Sequence, residues 1–147
     1  MKAALLVLAA CAAVALADAS HASALRLTCA PGGVGTRTFC GPAKATLKFG
    51  GKKYTFRRGG NCTTDESGLS VNLGTSTLVG KPKSAYLGIT VFSKKPGAHD
   101  ATVSWQLHGR SRSLSHGKAT VVRGLKRGTF TGLLSHGRRA SGSFTCK

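Results

Sequence analysis

The chain has 147 residues, with 22 Lys and Arg against 4 Asp and Glu and a formal net charge of +18. So few carboxylates leave little for chemistry that needs two of them: Asp65 and Glu66 are adjacent, and Asp100 stands alone. A glycosidase pair flanking one bond is hard to build from these.

The first residues read Met1, Lys2, then an uncharged run of Ala, Leu and Val to Ala17. One cation before a short apolar run is the layout of a secretory signal peptide. The run is about fifteen residues, short of the roughly 20 that span a bilayer as a helix. Ala17-Asp18-Ala19 and Ala22-Ser23-Ala24 both offer the small-x-small cleavage pattern. The second is favoured, giving a signal peptide over 1–24 and one domain over 25–147. Leu8-Ala9-Ala10-Cys11 also matches a lipobox, which would lipidate Cys11. The apolar run continues to Leu16, so Cys11 reads better as part of the signal core. Removing 1–24 takes away Lys2 and Asp18 together, and the charge stays at +18.

Period-two alternation punctuated by Gly then runs through the chain, the mark of half-buried strands. A short strand is expected at 25–28. Ala45, Leu47 and Phe49 alternate with Lys and Thr; Gly50-Gly51 turns the chain; Tyr54 and Phe56 alternate on the return. Two glycines suit the positive φ of a tight hairpin turn. Leu69, Val71 and Leu73 form another alternating strand, and 85–92 is apolar enough for a central one. Val103, Trp105 and Leu107 alternate next, followed by strands at 118–122, 129–134 and 140–146. Eight or nine strands at this spacing predict an all-β antiparallel sandwich. His108-Gly109, His116-Gly117 and His136-Gly137, each followed by a cation, read as tight turns rather than as a metal site.

Four cysteines follow the leader: Cys29, Cys40, Cys62 and Cys146. An even number in a small exported protein predicts two disulfides. Three pairings exist; Cys29 and Cys40 flank a Gly/Pro-rich loop and can close locally, leaving Cys62 with Cys146. No C-x-x-C pair offers a zinc site, and neither metal nor cofactor is expected. There is no G-x-S-x-G elbow, and nothing singles out a nucleophile to join His99-Asp100 in a triad. The chain therefore reads as non-enzymatic.

The cations often come in pairs, and Lys52, Lys53, Arg57, Arg58, Lys126, Arg127, Arg138 and Arg139 are the candidate polyanion contacts. A field of this sign favours acidic polysaccharide, wall polymers or anionic headgroups. No motif for sequence-specific nucleic-acid reading is present. The expectation is a secreted or envelope-associated binding module for anionic envelope polymers.

Two stretches resemble known families. Asn61-Cys62-Thr63-Thr64, the segment from Gly68 through Val71 to Gly74, and the closing Ser143-Phe144-Thr145-Cys146 resemble the mycobacterial nineteen-kilodalton lipoprotein antigen family. That resemblance implies a β-sandwich with a Cys62–Cys146 bridge at the cell surface and no catalytic activity. Leu27-Thr28-Cys29-Ala30-Pro31-Gly32-Gly33, with Gly35 and Cys40, resembles the first disulfide segment of the Streptomyces subtilisin inhibitor family. It implies the alternative function, a secreted serine-protease inhibitor, with residues 60–67 as the segment presented.

Overall fold

The computed structural model describes residues 22–26, 29–30, 33–57 and 59–146. The apolar leader, Cys11, the Ala17-Asp18-Ala19 pattern and Arg58 lie outside them. Twelve strands form among the described residues, in chain order: β1 (Ala22–Arg26), β2 (Thr36–Phe39), β3 (Lys44–Phe49), β4 (Lys52–Arg57), β5 (Gly60–Asp65) and β6 (Gly68–Thr77). They continue as β7 (Tyr86–Val91), β8 (Gly97–Leu107), β9 (Arg110–Ser113), β10 (His116–Val121), β11 (Arg127–Leu133) and β12 (Arg139–Thr145).

All twelve belong to one hydrogen-bonded sheet: ten follow the order β1-β4-β3-β12-β11-β10-β8-β7-β6-β2, and off that path β5 pairs with β6 and β9 with β8. This corrects the expected pair of sheets and the count of eight or nine strands. The three unforeseen strands are β2 (TRTF), β5 (GNCTTD) and β9 (RSRS), which carry no apolar alternation. They exist because two long strands have edge to share. The ten residues of β6 pair first with β5 and then with β2 along one side, and the eleven of β8 pair with β10 and then β9. Every pairing is antiparallel except β1 on β4. The second cleavage pattern, Ala22-Ser23-Ala24, falls inside β1.

The sheet curls into a half-barrel whose inner face is the core. Leu47 and Phe56 of β3 and β4, Val71 and Ile89 of β6 and β7, and Phe144 of β12 are all fully buried. Phe49 of β3 reaches Trp105 of β8 across the interior at 5.3 Å between ring centres, although three strands separate them in the ladder. Around the other way, the seam is drawn together by main chain. The Ala43 amide donates to the Gly60 carbonyl at 3.0 Å, and Gly59 donates to Gly41 at 3.2 Å.

Curling is helped by large residues set opposite none. Phe144 pairs with Gly128 and Phe130 with Gly142, so phenyl rings lie over bare backbone. A Cβ on Gly142 would collide with the Thr46 carbonyl oxygen and with the Phe130 ring. Overpacking of that kind costs up to about 3 kcal/mol when backbone must move. Gly142→Ala is therefore expected to lower unfolding stability by about 2–3 kcal/mol. A urea midpoint equal to wild type would show that β12 shifts freely.

Gly50-Gly51, His108-Gly109 and His136-Gly137 lie in turns as expected, whereas His116-Gly117 corrects its expectation: both residues belong to β10, paired with Leu133 and Gly132 of β11. Gly50 and Gly51 have φ of 59° and 73°, and His108 and Gly109 have 50° and 74°, the double positive φ of a type I′ hairpin. One disulfide is formed, Cys62–Cys146. Cys29 and Cys40 correct the expectation of a second: both are free and exposed, with the Cys40 thiol 3.7 Å from the Cys29 carbonyl oxygen.

Candidate polyanion-binding face

The residues that alternate with the core point outward, and on β4, β3, β12, β11 and β10 they are almost all hydroxyls and cations. The registers place Thr55 beside Thr46, Thr46 beside Ser143, Ser143 beside Thr129, and Thr129 beside Thr120. At a strand spacing near 4.8 Å, this hydroxyl row runs about 19 Å across the strands. Thr46 and Ser143 bond to each other at 2.9 Å.

Two residues along each strand, roughly 7 Å away, a second row reads Lys53, Lys48, Ser141, Thr131, Lys118. On the other side Lys44, Thr145 and Arg127 pair in register, and Arg57 lines a groove with Lys44. The hydroxyl row thus lies between two rows containing cations. Shallow open grooves of about 470 and 420 Å³ follow it side by side, sharing Thr46 and Ser143.

Carboxylates are almost excluded from this face. Among the described residues the one ion pair is Lys118 with Asp100, at 2.6 Å and well exposed. The Lys118 hydrogen bond holds the Asp100 carboxyl below its ordinary range. Lys44, Lys48, Lys53, Arg57 and Arg127 have no such partner. A surface that offers hydroxyl donors flanked by unpaired cations can solvate a row of oxyanions, because both groups donate hydrogen bonds and the charge is uncompensated.

The sequence candidates divide accordingly. Lys53, Arg57 and Arg127 stand on this face. Lys52 and Arg139 line an adjoining groove at the β3–β4 turn. Arg138 is elsewhere, its guanidinium 5.0 Å from the centre of the Phe49 ring, which Arg112 also approaches at 5.1 Å. Lys126 sits at the opposite end beside the disulfide, its carbonyl accepting from the Cys146 amide at 2.6 Å. Lys44, Lys48, Lys118 and the hydroxyls were not singled out. Their signal was present: they occupy the off-beats of the same alternation that identified the core.

Residues 60–67 are held in the sheet rather than projecting from it. β5 pairs with β6 from Gly60 to Asp65. Asp65 Oδ1 then closes the turn by accepting from the Ser67 amide at 2.8 Å, the Ser67 hydroxyl, and the Gly68 amide at 3.2 Å. Those Ser67 bonds pull the Asp65 carboxyl below its ordinary range. His99, imagined beside Asp100 in a triad, has Nε2 2.9 Å from the Lys95 carbonyl oxygen. Among the described residues no three His, Cys, Asp or Glu side chains gather where a metal could sit. No described helix is long and apolar enough to cross a membrane.

No family model, curated protein or solved structure matches the chain.

Proposed function

We propose that the protein is a non-enzymatic, extracytoplasmic binding module that holds anionic polymers of the cell envelope on its basic hydroxyl face. The observation that carries this reading is the register itself: five hydroxyl positions in one row, with unpaired cations on both sides. A net charge of +18 supplies the long-range attraction that brings a polyanion to the surface. The Cys62–Cys146 bridge supports an oxidising compartment, and so does the leader of Ala, Leu and Val following Lys2. The likeness to the nineteen-kilodalton antigens points the same way, since it implies that same bridge in a surface protein without catalysis.

The test is a salt titration with a linear polyphosphate as the probe. Neutralising about five phosphates releases their counterions, and the logarithm of affinity then falls with the logarithm of salt at a slope near −3 to −4. That slope is the expected result. An affinity that is unchanged between about 50 and 200 mM salt would sink the proposal.

A further inference from the structure

A second surface stands apart from the hydroxyl face and has different chemistry. Val34, Leu78 and Val79 are 109%, 69% and 78% exposed, the three barest large apolar side chains among the described residues. They are neighbours. The Leu78 amide donates to the Gly35 carbonyl at 2.8 Å, joining the loop before β2 to the loop after β6. A Cβ on Gly35 would lie 3.4 Å from Val79 Cβ, and Val34 and Val79 line one open cavity of about 550 Å³ with Lys81 and Lys83.

The tip is built rather than loose. Gln106 of β8 grips the residue before Leu78, accepting from the Thr77 amide at 2.7 Å and donating to its carbonyl at 2.8 Å. The Lys81 side chain lies against Gly109, so near that a Cβ there would meet its Cε at 2.7 Å. That contact brings the β8–β9 turn and Arg110 alongside.

Among the described residues, the Asp and Glu side chains are all at the other end. Asp65 and Glu66 form the turn at the start of β6, whereas Leu78 follows its last residue, about 30 Å along the strand. Asp100 lies at that same far end, where its carbonyl accepts from the Phe92 amide at 3.1 Å. A surface approaching the tip therefore meets exposed aliphatic groups and ammonium groups, with no described carboxylate to repel an anion. Exposed apolar patches of this kind mark interaction sites. Cations beside them suit the phosphate layer of an anionic leaflet, where each contributes to attraction.

We propose that this tip docks the protein on an anionic lipid leaflet. Val34, Leu78 and Val79 enter the boundary between headgroups and acyl chains, and Lys81 and Lys83 meet the lipid phosphates. The residues differ from those of the polymer-binding face, so the two readings fail independently.

The test uses protein recovered from its own cells and vesicles of phosphatidylglycerol with phosphatidylcholine, against phosphatidylcholine alone. Partition onto the anionic vesicles is expected to be at least about tenfold stronger. Combined Val34→Ser, Leu78→Ser and Val79→Ser should lower it by about tenfold or more, while polyphosphate binding stays as in wild type. In a Val79→Trp variant, emission should shift to the blue on anionic vesicles and be quenched by brominated acyl chains. Undiminished partition of the serine variant overturns the proposal. So does a Trp at position 79 that brominated lipid never quenches, which would leave attraction by charge alone. A serine variant that keeps its vesicle binding but falls from dimer to monomer in sedimentation would also overturn it, assigning the tip to a second copy of the chain.

Discussion

Replacing Cys62 and Cys146 together with serine is expected to remove about 4.5 kcal/mol of stability. The two lie 84 residues apart in sequence, and closing a loop of that size restricts the unfolded chain by about this amount in the chain-entropy model. Position adds to the effect. In the ladder β5 and β12 are far apart, with β11, β10, β8, β7 and β6 between them. The disulfide spans the seam of the half-barrel directly, beside the amide contacts of residues 41–43 with 59–60. A domain of this size holds only about 5–15 kcal/mol in total, so the serine variant stands near the edge of folding. Urea unfolding of the variant and of wild type, with and without reductant, measures it. A loss under about 1 kcal/mol would show that the main-chain contacts hold the seam unaided.

Reversing Lys44, Arg57 and Arg127 to glutamate is expected to weaken polyphosphate binding by about a thousandfold or more. Each change removes an attraction of about 1 kcal/mol near a polyanion and substitutes a repulsion, and every 1.4 kcal/mol is a factor of ten. All three are exposed, so folding should be nearly untouched, as far-UV circular dichroism and the thermal midpoint would verify. The control has the same change in net charge elsewhere: Lys94→Glu, Lys95→Glu and Arg123→Glu, also exposed, in the β7–β8 and β10–β11 connections. It should cost far less. Equal losses in the two triple variants would mean that total charge, not the face, holds the polymer.

Most of the sheet was legible because its strands alternate. The hairpin from Ala45 to Phe56, the strands around Val71 and Trp105, and the last three strands all lie where period two places them. What escaped has a physical reason. β9 is RSRS and β5 is GNCTTD, strands held by the long edges of β8 and β6 rather than by burial of their own apolar side chains. The first residues of β8, Gly97 to Ala101, read as turn and polar chain yet pair with β10 throughout. Whether the strands divide into two sheets or close as one depends on register, which alternation does not encode.

The candidate face was legible by halves. Paired cations drew attention to Arg57 and Arg127, but Lys44 and Lys48 are single and alternate with core residues. A run such as Thr129-Phe130-Thr131 or Ser141-Gly142-Ser143 announces only a strand. That five of these hydroxyls share one row follows from four separate registers, and no local pattern carries that information. Arg138, by contrast, looked like Arg139 in sequence and is drawn away by an aromatic ring.

The placing of β12 bears on when this chain can fold. It lies between β3 and β11, pairing through Ser143 with Thr46, a residue 97 positions earlier. Until residues 139–145 emerge from the ribosome, β3 and β11 have no partner on those sides and the inner face stays open to water. Contacts so distant in sequence also form slowly, since loop closure precedes any reward. The chain thus leaves the ribosome as an unfinished sheet, and β12 acts as the keystone whose arrival converts it into a rigid body.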